Sequence, residues 1–228
     1  MYYYDEYFLL LCVPALIISL IAQWKVKSSY KKFSKIRNVR GLTGAAAAYR
    51  VLQSYGITDV RIERVSGQLT DHYDPKANVI RLSQGVFDNI SIAAVGIACH
   101  EAGHAAQYAQ AYYPVKLRAA IIPVTRFGSG VGILLALAGY LLDFGILLYV
   151  GLILYFFIVI FQFITLPVEF DASKRALKVI GETNMLTAEE YPKAKSMLTA
   201  AAMTYVAALI SALAQFLRLF LRFTSNRR

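Results

Sequence analysis

His100 and His104 stand four residues apart with Glu101 between them, in the run Ala98-Cys99-His100-Glu101-Ala102-Gly103-His104. On a helix, positions i and i+4 lie one turn apart on one face, so both imidazoles reach a single ion as protein ligands of a catalytic zinc. Glu101 is displaced by about 100° around the helix. It therefore points beside the ion, toward the water in the open coordination position. That water, acidified by zinc, attacks a peptide carbonyl, and Glu101 takes its proton and passes it to the leaving amine. Matches to HExxH arise by chance, but the chain holds three histidines and two of them occupy the motif. The chemistry implied is peptide hydrolysis with one Zn2+, acting on peptides or proteins, membrane proteins among them.

A catalytic zinc wants a third protein ligand. Glu169, Asp171, His72 and Asp143 are the candidates. In VEFDASKRALKVI, read as a helix, Glu169, Ala172, Ser173, Ala176, Leu177 and Ile180 share one face. Glu169 is the lone carboxylate on that stripe, and a carboxylate facing a buried surface is costly unless it meets a charge or a metal. Asp171 falls on the opposite side, three and four residues before Lys174 and Arg175, where ion pairing accounts for it. Helical phase therefore favours Glu169. His72, or its neighbour Tyr73, reads either as a donor to the developing oxyanion or as a turn residue bonded to Asp71 or Asp74. Asn78 to Leu82 (NVIRL) reads as a strand. As an edge strand it would pair with a substrate backbone through Asn78 and Ile80; as a structural strand it would not. Cys99 reads as core packing.

The elements that position these residues are partly membranous. The chain has 228 residues, 57% of them hydrophobic and 17% charged, with a net charge of +10 and a mean hydropathy of +0.49. Disorder is excluded by the hydrophobicity, and a disulfide scaffold by two cysteines that each sit in an apolar run. Much of the positive charge lies beside apolar segments, the membrane pattern rather than that of a nucleic-acid binder. Tyr7 to Trp24 carries no charge and is preceded by Asp5 and Glu6 and followed by Lys25, Lys27, Lys31, Lys32, Lys35, Arg37 and Arg40. This predicts a span with its N-terminus outside and the basic side in the cytoplasm. Ala119 to Pro167 is long enough for two spans with a turn near Gly139 to Gly145, both feet cytoplasmic. Met197 to Phe220 reads as a span or as a helix packed on that hairpin. Between the first span and the hairpin, a helix over Gly41 to Gln53, a strand near Val60 to Val65, a turn at Leu69 to Pro75, the NVIRL strand, a short helix capped by Ser83 and a long helix over Ser91 to Tyr112 make a small α+β unit. The division expected is thus 1–24, a transmembrane helix; 25–115, the α+β unit with the HExxH helix; 116–167, the transmembrane hairpin; and 168–228, the helix with Glu169 plus the last apolar run.

HEAGH, preceded by LTDHYDP and NVIRLS and followed by LPVEFDASKRAL, resembles the bacterial membrane-bound neutral zinc metallopeptidases of the YugP type, over nearly the whole chain. It is similar more distantly to gluzincin membrane proteases of the HtpX and CAAX-processing kind, which place a glutamate after a membrane hairpin in an E-x-x-x-D pattern. The resemblance implies His100, His104 and Glu169 as zinc ligands and Glu101 as general base. The relatives' Asp falls at Ser173 here, so Ser173 or Asp171 would have to partner the first ligand histidine. The resulting expectation is a mainly α, multi-pass cell-membrane protein of three to four transmembrane helices with a zincin-like cytoplasmic unit. It would cleave peptide bonds at the cytoplasmic membrane face. Two other readings compete: an intramembrane protease of the site-2 type using Asp143, and a non-catalytic metal-binding membrane scaffold.

Overall fold

The computed structural model describes residues 6–142 and 144–225; Asp143 lies outside them. The chain forms seven α-helices and a three-stranded sheet over these residues, and it divides into two compact units.

The first unit gathers residues up to Gln23, Lys116–Leu166 and the chain from Thr204 onward. Its helices are α1 (Val13–Phe33, preceded by a π-helical turn over Phe8–Cys12), α5 (Tyr113–Leu141), α6 (Gly145–Glu182) and α7 (Tyr191–Ser225). Three stretches are long and apolar enough to cross a membrane: Phe8–Phe33, Gly145–Glu182 and Tyr191–Arg222. α5 makes a fourth if Tyr113–Arg126 and Gly130–Leu141, bent by 46°, count as one broken span. The last apolar run thus belongs to a helix of spanning length. Small residues let α5 and α6 approach closely. A Cβ on Gly151 would lie 2.3 Å from the Ala136 amide nitrogen, and one on Gly139 would lie 2.4 Å from that of Leu148. Polar side chains in this apolar setting bond to each other, Ser19 Oγ to Ser211 Oγ at 2.9 Å and Cys12 Sγ to Gln215 Oε1 at 3.4 Å.

The second unit comprises Trp24–Val115 and Pro167–Met203. The segment carrying Glu169 is not a helix of its own: α6 continues through Pro167 as far as Glu182. α2 (Gly44–Ser54) starts at Thr43, whose hydroxyl accepts the Ala46 N–H, and buries Ala47, Ala48, Val51 and Leu52 on one stripe. Three strands follow: β1 (Arg61–Val65), β2 (His72–Asp74) and β3 (Val79–Ser83), in the order β1-β3-β2. β1 runs parallel to β3 and β2 antiparallel, with Tyr73 opposite Ile80.

This corrects two expectations. The Leu69 to Pro75 segment contains a strand rather than only a turn. β3 is the central strand, not an edge, because both its sides are already hydrogen-bonded. Ile80 is fully buried, and Asn78, at φ +51°, is a turn residue bonded to Asp59 and Tyr73, so neither is free to hold a substrate backbone. Ser83 occupies the cap position of α3 (Gln84–Phe87), but its hydroxyl donates to Asp71 Oδ2 at 3.1 Å instead of capping. α4 (Ile92–Ala109) begins at Ser91, whose side chain accepts the Ala94 N–H. Its buried residues are mostly small, and they pack with Ile80, Leu82, Val179, Ile180, Met197 and Leu198 in one core. Cys99 is fully buried in that core.

Candidate metal centre

The site is built on the crossing of α4 and α6 within the second unit. His100 and His104 rise from one face of α4, one turn apart, with ring centroids 4.7 Å from each other and planes nearly perpendicular. The crossing is tight because α4 has no side chain at Gly103, where a Cβ would meet the Ala172 carbonyl oxygen at 2.4 Å. That contact lies between Glu169 and Ser173, so it sets how near the Glu169 carboxylate comes to the two rings. Glu169 Oε2 lies 3.3 Å from His100 Nε2 and 3.5 Å from His104 Nε2. All three ligand atoms fall within 4.8 Å of one another, and Glu169 is 3% exposed. Four ligands at zinc distances of roughly 2.05 Å form a tetrahedron with edges of about 3.3 Å. Two nitrogens and a carboxylate oxygen at this spacing therefore fit a zinc ion with one position left open.

Each ring is fixed through its other nitrogen. His100 Nδ1 lies 3.1 Å from Ser173 Oγ, and His104 Nδ1 lies 3.0 Å from Gln107 Oε1. Ser173 thus fills the place where distant relatives carry a carboxylate. Asp171 does not touch His100; it accepts from Gln107 Nε2 at 2.9 Å and pairs with Arg175. Burial alone would pull the pKa of His104 down. The hydrogen bond and charge of Glu169, with smaller contributions from Glu101 and Gln107, outweigh burial and raise it. Glu101 points to the sheet side, where its Oε2 accepts the Tyr73 backbone N–H at 3.0 Å. Since that amide is turned away from β3, β2 is the edge strand that borders the site. Tyr73 packs against Tyr108 of α4, and burial, then the nearby Tyr108, Asp59 and Asp74, push its phenol up to about 12, so it stays a donor to Asn78.

Of the four candidates for the third ligand, Glu169 is the one brought to the imidazoles. Asp171 faces Gln107 and Arg175, and Asp143 lies outside the described residues. His72 is a correction. Strand alternation sends its ring to the face opposite Tyr73. There it is exposed, with Nδ1 2.7 Å from the Thr70 carbonyl oxygen and Nε2 3.5 Å from Arg81 Nη1, and it donates nothing toward the site. Sequence reasoning missed Gln107 and the Tyr73 amide. A polar residue one turn beyond His104, on a helix otherwise lined with alanine, was the available signal for the first. A backbone donor leaves none.

The tightness at Gly103 gives an expected result. Gly103→Ala drives a methyl into the Ala172 backbone carbonyl and should cost about 1–3 kcal/mol. The shift of α6 that relieves it also moves Glu169 off the rings, so melting with and without zinc should show a lower transition and a smaller zinc-dependent gain than wild type.

A family model described as "Putative neutral zinc metallopeptidase" matches residues 8–224. The chain is 45% identical over 220 residues to "Putative membrane protease YugP" of Bacillus subtilis (strain 168), covering 96% of this chain and 98% of that protein. No solved structure matches it. With the family model running through all seven helices and a relative matched along almost its entire length, the chain belongs to the neutral zinc metallopeptidases: a membrane-associated hydrolase of peptides or proteins that uses zinc.

Proposed function

We propose that this chain is an endopeptidase working at the cytoplasmic face of the cell membrane, with His100, His104 and Glu169 as zinc ligands and Glu101 as general base. The observation that carries the reading is the convergence of the three ligand atoms within 4.8 Å beside a glutamate whose carboxylate is already aimed by a strand. Zinc at this position supplies a Lewis acid that lowers the pKa of a water and polarises a peptide carbonyl.

The protein's own groups do the rest. Glu101 receives the proton of the attacking water and delivers it to the departing amine. The Tyr73 N–H holds one oxygen of the Glu101 carboxylate, which would keep it from ligating the metal and leave the other oxygen for the proton. Ser173 and Gln107 fix the planes of the two imidazoles so that both Nε2 atoms face the Glu169 carboxylate, where the three would hold zinc. The α4 helix beneath a three-stranded sheet, with the site against edge strand β2, supports a zincin-like unit. An extended substrate would lie along that open edge.

The membrane-face location is supported by Glu169 lying three residues past Leu166, at the end of the apolar run of α6. The basic residues after the first apolar segment and those at Lys174 and Arg175 support a cytoplasmic position for that end and an N-terminus outside. Substrates within reach of such a site include the cytoplasmic ends of membrane proteins.

Metal removal tests the reading. Stripping the purified protein with a chelator should abolish cleavage of an unstructured protein substrate, and one equivalent of zinc should restore it. Cleavage that persists in the stripped protein would defeat the proposal.

A further inference from the structure

The contacts behind His104 form a chain that does more than join two helices. Gln107 is fully buried, and its amide meets three groups: His104 Nδ1 at 3.0 Å from Oε1, and the Val168 carbonyl and Asp171 Oδ2 at 2.7 and 2.9 Å from Nε2. The Val168 oxygen is an acceptor, and so is an ionised Asp171 carboxylate. Both amide hydrogens of Gln107 are therefore committed on that side, and its oxygen must face the histidine. An oxygen facing Nδ1 requires a proton on Nδ1, which puts the ring's lone pair on Nε2, the nitrogen that lies 3.5 Å from Glu169. The reverse amide orientation would set oxygen against oxygen at Val168 and Asp171. It would also demand a lone pair on Nδ1, leaving Nε2 protonated and unable to bind a metal.

Asp171 is held in turn. It pairs with Arg175 Nε, while Arg175 Nη1 donates to Gln110 at the end of α4 and the guanidinium lies 5.8 and 5.6 Å from the Tyr55 and Tyr112 ring centres. We propose that Asp171 is a positioning residue for the metal centre: it locks the orientation of the Gln107 amide and so sets His104 in the tautomer that can bind zinc. This rests on the assignment of His104 as a zinc ligand and extends it to a carboxylate that touches neither the ion nor any of its ligands.

Asp171→Ala removes the one oxygen that accepts from both Gln107 Nε2 and Arg175 Nε, which admits the wrong amide orientation. Zinc affinity, read by chelator competition on the metal-stripped full-length protein in detergent, should fall roughly tenfold to a hundredfold. Gln107→Leu should cause a loss of the same order, with Gln107→Met in its place if the leucine variant does not fold. Asp171→Ala added to either should change affinity by less than about threefold, because the group it acts through is gone. Arg175→Gln, which breaks the ion pair but keeps the carboxylate, should lower the melting temperature more than it lowers zinc affinity.

Wild-type affinity in Asp171→Ala overturns the proposal. So do losses that multiply in the double variant, since Asp171 would then act independently of Gln107. A wild-type protein that binds no zinc overturns the His104 assignment itself, and Asp171→Ala equal to a zinc-binding wild type overturns only the role of Asp171.

Discussion

Glu101→Gln protein should retain one zinc per chain and cleave peptides roughly 10²- to 10⁴-fold more slowly than wild type, the range a positioned general base contributes. The substitution is nearly isosteric. The new carboxamide oxygen can still accept the Tyr73 N–H that Glu101 accepts at 3.0 Å, so β2 keeps its place beside α4. What disappears is the capacity to take a proton from water at neutral pH. Zinc content measured alongside cleavage separates the two effects. Loss of zinc from this variant would show that Glu101 holds the ion, and cleavage at the wild-type rate would show that the proton goes elsewhere.

Glu169→Ala should lose zinc outright. In the proposed centre the carboxylate is one of three protein ligands and carries the only negative charge among them. Its removal should weaken binding by more than the 10- to 100-fold typical of losing a hydrogen-bond partner behind a ligand. The empty volume is small and buried, at a position 3% exposed, so solvent replaces the lost oxygen poorly. Cleavage should fall with zinc content. An Asp171→Ala protein offers the contrast: its ligand set is complete, so it should bind zinc more weakly than wild type yet still fill at high zinc.

The parts of the site that obey a single helical period were legible in the sequence. His100 and His104 share a face of α4 by spacing alone, and the stripe of Glu169, Ala172, Ser173 and Ala176 follows from the same 3.6-residue repeat on α6. Packing between elements was less legible. β2 has three residues flanked by Asp and Pro, too short to display alternation, so its segment reads as a turn, and the wrong strand is taken for the edge. Asn78 and Ile80 follow that error, since nothing in NVIRL says that partners lie on both sides. His72 sits next to the residue whose amide meets Glu101, but pleating turns its side chain to the other face. The role of Gln107 depends on Val168 and Asp171, more than sixty residues away on α6. Pro167 suggested a helix boundary, yet α6 continues through it and includes both the apolar run and Glu169.

The sharpest test is zinc K-edge X-ray absorption of the zinc-loaded wild-type protein beside its Glu169→Ala variant. Two ring nitrogens joined by a carboxylate predict nearest neighbours of nitrogen and oxygen alone at about 2.0–2.2 Å, with the outer scattering of two imidazoles, and a variant with little or no bound zinc. Sulfur scattering near 2.3 Å, or a fully loaded variant with an unchanged spectrum, would mean that the cation sits somewhere other than between His100, His104 and Glu169.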